Sequence, residues 1–330
     1  MRALSRSRLS LFDIQVNGFA GVDFQNSKLK ADDLHRACLA LRRHHTHRIL
    51  LTLVTDAIPA LEAKFARIEV MRAADPLAAE TIVGYHLEGP YLSPEEGYRG
   101  AHLAEYMKRP EMPEFRRLQK AAGGNIRLLT LAPEWPGSAR FIAAVAATGV
   151  VISLGHTNAD NGRIDDAIRA GARMCTHLGN GCLMLVPRHD NIIQRLLARD
   201  ELVASFIPDG IHVPPPVLKN FLRAKPANRI VITTDAVAAA AAAPGPFFMQ
   251  RGKKMTQFMC DRKGVVAFPG HAGYFFGSSL TLDQGAANIP RWTEFSAETA
   301  WDWASRRPAE ILGIRLPQIE VSPSPESGGP

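Results

Sequence analysis

The stretch IRLLTLAPEWPGSARFIAAVAATGVVISLGHTNADNGRIDDAIRAGARMCTHLGN (126–180) decides the fold. It contains three short runs of apolar or β-branched residues, and an amphipathic segment separates each run from the next. The two amphipathic segments, 140–149 and 163–171, both end in glycine, as helix C-termini often do. Strand, helix and strand in repeated order predict a parallel sheet built from βα units.

The same alternation extends through the whole chain. Further helical patterns lie at 32–44 and 217–224. The candidate strands are 11–18, 48–55, 81–90, 126–134, 150–158, 174–181, 202–210 and 229–237. Eight βα repeats without a long polar linker favour a closed, TIM-type (β/α)8 barrel in the α/β class over an open doubly wound sheet. No G-x-G-x-x-G follows the first strand, which argues against a dinucleotide-binding domain.

Composition narrows the class of protein. The 330 residues are 46% hydrophobic and 22% charged, which is ordinary for a soluble globular enzyme. No apolar run is long enough for a membrane span, and the first residues lack a signal cleavage site, so we expect a cytoplasmic protein with no membrane partner. The net charge of +7 is spread over helix faces without interleaved aromatic residues, which argues against a nucleic-acid partner. The four cysteines form no C-x-x-C pair, which is typical of free thiols.

Two regions interrupt the barrel pattern. We expect 11–313 to form the barrel domain, and 238–276 to be a lid-like insertion containing a small hairpin. Residues 296–313 have the pattern of one or two closing helices. The segment 314–330 is predicted to be a short disordered tail, in which 316–321 is a strand remnant with no partner.

Polar side chains follow the predicted strands at the point where each strand ends. In a barrel these ends converge on one mouth, where polar groups are typical of catalysis. One histidine or aspartate in such a place is usually structural, but a whole set cannot be explained that way. Imidazoles with a carboxylate are the usual ligands of zinc, and a further carboxylate beside them would shuttle protons. The set comprises His86, Glu88, His156, His177, Asp209, His212 and Asp235.

Seven separated motifs, in order, indicate a family. They are DIQVNGFAGVDF, HLEGPYLSPEEGYRGAH, SLGHTNAD, CTHLGN, PDGIHV, ITTDA and GSSLTLDQ. Together they resemble the N-acetylglucosamine-6-phosphate deacetylases of the amidohydrolase superfamily over about 11–313. The resemblance implies metal-dependent hydrolysis of an N-acetyl group, which gives acetate and an amino sugar phosphate. It leaves two alternatives open: an amidohydrolase for another N-acyl or cyclic amide substrate, and a non-catalytic sugar-phosphate-binding paralogue.

The resemblance also implies roles for individual residues. It makes Glu88, His156 and His177 the metal ligands and Asp235 the catalytic acid and base. It makes His102 a second catalytic residue, which contacts the acetyl carbonyl. The other implied substrate contacts are Asn180, Gly181, His212 and Arg188, the last reaching into the neighbouring subunit of a homodimer. One divalent ion per chain is expected, with zinc first and iron, cobalt or manganese as alternatives.

Two departures from the family pattern lead to further expectations. Many barrel metallohydrolases have His-x-His at the end of the first strand, where this chain has Gln15 and Asn17. Amide side chains are poor ligands, so we expect a second ion to be missing while the first one remains. Family members also fold both chain ends into a small β-sandwich, and here we expect that domain to be missing or vestigial.

Overall fold

The computed structural model describes residues 6–268 and 275–321. Eight parallel strands form one sheet, and their order across the sheet is their order in the chain. A bridge between Val16 and Ala236 joins the first strand to the segment after the last and closes the sheet, which confirms the predicted barrel. The strands are β1 (Leu11–Val16), β2 (Thr46–Val54), β3 (Ile82–Glu88), β4 (Ile126–Leu131), β5 (Val151–Leu154), β6 (Ala172–Cys175), β7 (Val203–Phe206) and β8 (Ile230–Ile232).

Helices alternate with these strands. In the first, the buried residues Leu34, Cys38 and Leu41 recur at helical spacing, so one face packs on the sheet. The helices are α1 (Ala31–Arg43), α2 (Ile58–Ala74), α3 (Pro76–Thr81), α4 (Met112–Ala121), α5 (Ser138–Ala146), α6 (Asn161–Ala170), α7 (Ile192–Leu197), α8 (Pro215–Ala224), α9 (Leu282–Trp292), α10 (Ala297–Trp303) and α11 (Arg306–Leu312). The last two are the predicted closing helices. None of the helices in the described ranges is long and apolar enough to cross a membrane.

An apolar cluster of side chains from the barrel strands fills the interior at one end. Phe12, Leu50 and Met174 belong to it, and Ala309 and Leu312 of α11 pack against it. Glu88, the last residue of β3, is buried and lies nearer the opposite end. The packing therefore leaves one end of the barrel for chemistry.

The two ends of the described chain pair with each other. Arg6–Leu9 and Gln318–Val321 form an antiparallel two-stranded sheet. The expectation that 316–321 lacks a partner is therefore wrong, because no local pattern reveals a partner at the other end of the chain. Residues 322–330, the rest of the predicted disordered tail, lie outside the described residues.

The insertion after β8 contains the expected hairpin. Gly245–Arg251 pairs with Lys254–Cys260, and Val266–Ala267 adds a short third strand. This sheet has a small apolar core of its own, which includes Phe258 and Phe276. Its role as a lid stays a prediction.

Candidate active site

Three strand ends deliver a cluster of ligand-type side chains to the barrel mouth. Glu88 is the last residue of β3, while His156 and His177 each lie two residues beyond β5 and β6. Both histidines have left-handed backbone, with φ of 52° and 33°. Asp235, which lies beyond β8, also has left-handed backbone, with φ of 52°. Such strain costs roughly 1–3 kcal/mol per residue and is concentrated at functional sites.

The two imidazoles and the carboxylate converge on one point. His177 Nε2 lies 3.1 Å from Glu88 Oε1 and 3.1 Å from His156 Nε2. One donor atom from each of the three residues lies within 4.8 Å of the others, and all three residues are buried. A borderline divalent ion prefers such a set of nitrogen and oxygen donors, so the three residues fit a metal site.

Hydrogen bonds around the triad support that fit. His156 Nδ1 donates to the Tyr98 carbonyl oxygen at 2.8 Å, which leaves the Nε2 lone pair facing the triad. Burial would raise the pKa of Glu88, but the neighbouring imidazoles of His156, His177 and His102 hold it well below its usual range. The carboxylate is therefore ionised and able to bind a cation.

Two glycines fix the position of His156. A Cβ at Gly181 would lie 2.9 Å from His156 Nδ1, and one at Gly100 would lie 2.9 Å from Cε1. Gly181 also has φ of 60°, which disfavours a side chain. Any larger residue at either position would displace the imidazole.

Asp235 is held by the amides at the end of β1. Its Oδ1 accepts from Asn17 Nδ2 at 2.6 Å and from Gln15 Nε2 at 3.0 Å. The same Gln15 Nε2 donates to Glu88 Oε1 at 2.9 Å, so one amide bridges the two carboxylates. Burial and the charge of Glu88 raise the pKa of Asp235 to about 7, against the opposing effect of these donors.

A buried carboxylate beneath this network ties β1 to β8. Asp13 accepts from the hydroxyls of Thr233 and Thr234, both at 2.5 Å. Burial raises the pKa of Asp13, and these hydrogen bonds oppose that rise. The contacts fix the backbone from which Gln15 and Asp235 project.

His102 lies over the triad from the loop after β3. Its ring centroid is 4.5 Å from that of His156, and its Nε2 is 3.8 Å from Glu88 Oε2. Its Nδ1 is within 3.0 Å of the Thr55 hydroxyl. Burial and the neighbouring His156 lower the pKa of His102 to about 3, so the ring is neutral. If Thr55 donates to Nδ1, the ring proton is on Nε2, which faces the site.

These side chains line a cavity of about 960 Å³. The sequence-predicted residues that line it are Glu88, His102, His156, His177, Asn180, Gly181, His212 and Asp235. Arg188 is exposed and is not among the lining residues of its own chain. The structure thus brings together all the predicted site residues except Arg188.

Two of the sequence candidates have structural partners. His86 is fully buried below the triad, where its Nε2 is 2.7 Å from the Thr130 hydroxyl. Asp209 accepts from the backbone N–H groups of Ile211 and His212, and its Oδ2 lies 2.6 Å from His212 Nδ1. Asp209 therefore orients His212 toward the cavity.

Sequence reasoning did not single out several polar residues that line the cavity, among them Thr55, Arg99 and Arg251. Thr55 follows β2 directly, so its place after a strand is a signal that could have found it. Arg99 lies inside the HLEGP motif segment, and Arg251 lies in the insertion. No repeat or spacing indicates that either arginine faces the site.

Comparisons with known proteins complete this description. No family model matches the chain. An N-acetylglucosamine-6-phosphate deacetylase from Bos taurus is 33% identical over 312 residues, which span 92% of this chain and 73% of that protein. An N-acetylgalactosamine-6-phosphate deacetylase from a Shewanella species is 32% identical over 314 residues, or 93% and 74% of the two chains.

A solved structure shares the fold. It is an aspartate-to-alanine variant of the N-acetyl-D-glucosamine-6-phosphate deacetylase from Mycobacterium smegmatis, in complex with N-acetyl-D-glucosamine-6-phosphate. The TM-score is 0.83 at 27% identity, and the match covers 94% of this chain and 79% of that one.

Proposed function

This chain belongs to the N-acetylglucosamine-6-phosphate deacetylase family, and from that premise we propose that it hydrolyses the N-acetyl group of N-acetylglucosamine 6-phosphate or a close N-acetyl sugar phosphate. The products are acetate and the amino sugar phosphate. One observation carries the proposal: a metal-type triad and a separate carboxylate, Asp235, line the same cavity.

We infer that Glu88, His156 and His177 hold one divalent ion, with zinc as the expected metal. When bound, such an ion lowers the pKa of water and polarises the acetyl carbonyl. Asp235 Oδ1 is occupied by the amides of Gln15 and Asn17, which leaves Oδ2 free to move a proton. Asp235 accepts the proton of the attacking water at Oδ2 and delivers it to the leaving amine nitrogen.

His102 acts on the acetyl group in this scheme. With its proton on Nε2, the neutral ring donates to the carbonyl oxygen as negative charge develops there. Its T-shaped contact with His156 keeps the ring over the triad. Thr55 is then a positioning residue, because its hydroxyl lies 3.0 Å from Nδ1 of the ring.

Asn180, Gly181 and His212 form the polar lining of the cavity that would contact the sugar phosphate. Arg188 is exposed in its own chain, which agrees with a role in the site of a partner subunit. We therefore propose a homodimer in which Arg188 of one subunit contacts the phosphate bound by the other.

An acetate-release assay tests the proposed activity, with metal content measured on the same protein. We expect turnover of N-acetylglucosamine 6-phosphate, little turnover of the sugar without its phosphate, and one metal ion per chain. If acetate is released faster from N-acetylgalactosamine 6-phosphate, the proposed sugar changes while the proposed reaction stands. The Shewanella relative is a deacetylase of that kind. Absence of acetate release from every N-acetyl sugar phosphate, with metal bound, would overturn the proposal.

A further inference from the structure

An arginine on the insertion hairpin contributes positive charge to the cavity. Arg251 ends the strand Gly245–Arg251, is half-buried and lines the cavity. Among the described residues no carboxylate forms an ion pair with it. The stretch 269–274, PGHAGY, lies outside the described residues and contains no acidic residue. A half-buried guanidinium that forms no ion pair with the described part of the chain is suited to bind an anion that enters from outside.

The guanidinium is held in place before any ligand arrives. Its Nη2 donates to the carbonyl oxygen of Ala101, the residue before His102. It also lies 5.2 Å from the ring centroid of Phe268 and 5.6 Å from that of Phe276. These contacts engage one N–H and pack the guanidinium near two rings, and the other N–H groups have no partner among the described residues, so they can bind a planar or tetrahedral oxyanion.

The hairpin itself is anchored next to this arginine. The backbone N–H of Gln250 donates to Asp23 Oδ2 at 2.8 Å, and its side-chain oxygen accepts from the Ser27 N–H at 2.7 Å. The backbone position of Arg251 is therefore fixed by its neighbour. A preorganised donor loses less entropy on binding than a free one.

A second arginine reinforces the positive charge. Arg99 lines the same cavity, and its charge adds to burial in lowering the pKa of Arg251. Among the described residues, no lysine or arginine other than Arg99 and Arg251 lines this cavity. Two neighbouring cations are best neutralised by a group with two negative charges, such as a phosphate ester.

We propose that Arg251, supported by Arg99, binds the phosphate of the amino sugar phosphate within a single chain. This inference rests on the proposed function for the substrate class. It assigns phosphate recognition to the hairpin of the same subunit, in addition to Arg188 of the partner subunit. The hairpin then determines specificity for phosphorylated sugars.

Calorimetric titration with glucosamine 6-phosphate and with glucosamine tests this subsite on the metal-loaded protein. We expect R251Q to weaken binding of the phosphorylated sugar roughly 10- to 100-fold and to leave glucosamine unaffected. R251K keeps the positive charge but lacks the two-pronged set of N–H donors, so its affinity for the phosphorylated sugar should lie between those of R251Q and the wild type. R262Q, an exposed position in the same insertion, is the matched control and should bind like the wild type.

Kinetics separates the failure of this inference from failure of the proposed function. We expect R251Q to raise KM for N-acetylglucosamine 6-phosphate with a smaller change in kcat. If R251Q and R251K both bind and turn over like the wild type, the subsite is refuted while the activity stands. If the wild type releases no acetate and R251Q still loses affinity for the phosphorylated sugar, the activity is refuted while the subsite stands.

Discussion

The two sides of the barrel mouth are built on different principles. On the side of β3, β5 and β6, Glu88, His156 and His177 crowd donor atoms within 4.8 Å of one another. On the side of β1 and β8, two amides donate to Asp235 at 2.6 Å and 3.0 Å. The first side fits a cation, whereas the carboxylate of the second side accepts two hydrogen bonds from amides of the chain. Two carboxylates at strand ends thus have different surroundings: Glu88 stands beside two imidazoles that could share a metal ion with it, whereas Asp235 is held by two amides.

Removing a ligand from the first side should have the largest effect. H177A loses one imidazole nitrogen, so we expect metal content and acetate release to fall together to background. Elemental analysis and the acetate assay measure both. The exposed His189 provides the control H189A, which should keep its metal. A metal-replete H177A would show that His177 is not a ligand.

Neutralising the carboxylate of the second side should separate chemistry from metal binding. D235N keeps an oxygen to accept from Gln15 and Asn17, and asparagine tolerates left-handed backbone. We expect roughly 10²- to 10⁴-fold slower turnover with unchanged metal content. Near-normal turnover would exclude Asp235 as the proton carrier.

The bridging amide tests how far the two sides depend on each other. Q15L removes the N–H that reaches both Glu88 and Asp235. We expect about a tenfold fall in kcat, with KM and metal content unchanged, because Gln15 positions Asp235 and does not bind the ion. Loss of metal in this variant would instead make Gln15 part of the triad's support.

The smallest expected effect is on the pH dependence of stability, through Asp23 near the β1 side of the mouth. Burial raises the pKa of Asp23 to about 7 from its ordinary value of 3.8. Between pH 3.8 and about 7, Asp23 keeps its proton in the folded state and releases it in the unfolded state. Its contribution to the free energy of unfolding is therefore full below pH 3.8 and is lost as pH rises through about 7. Urea denaturation across this interval should show a steeper decline of the free energy of unfolding for wild type than for D23N. Parallel pH profiles for the two proteins would contradict the raised pKa.

The barrel was predictable from sequence because its βα units repeat, whereas the choice of triad among the polar residues at strand ends came from the family resemblance. Each strand is a local apolar run, and Glu88, His156 and His177 lie at the end of three of them or two residues beyond. Arg251 was not predictable, because the insertion belongs to no repeat and its orientation depends on the contact with Ala101. The pairing of Gln318–Val321 with Arg6–Leu9 escaped for a similar reason, since it joins opposite ends of the chain.

The left-handed backbone at His156, His177 and Asp235 has a consequence for laboratory evolution. Left-handed backbone is strained at each of these three residues, and glycine or asparagine there would reduce the strain. A library selected only for thermal resistance would therefore accumulate such replacements at the mouth and lose hydrolysis. A selection that rewards both heat tolerance and acetate release would retain these three residues and find its stabilising changes elsewhere, on the outer helices.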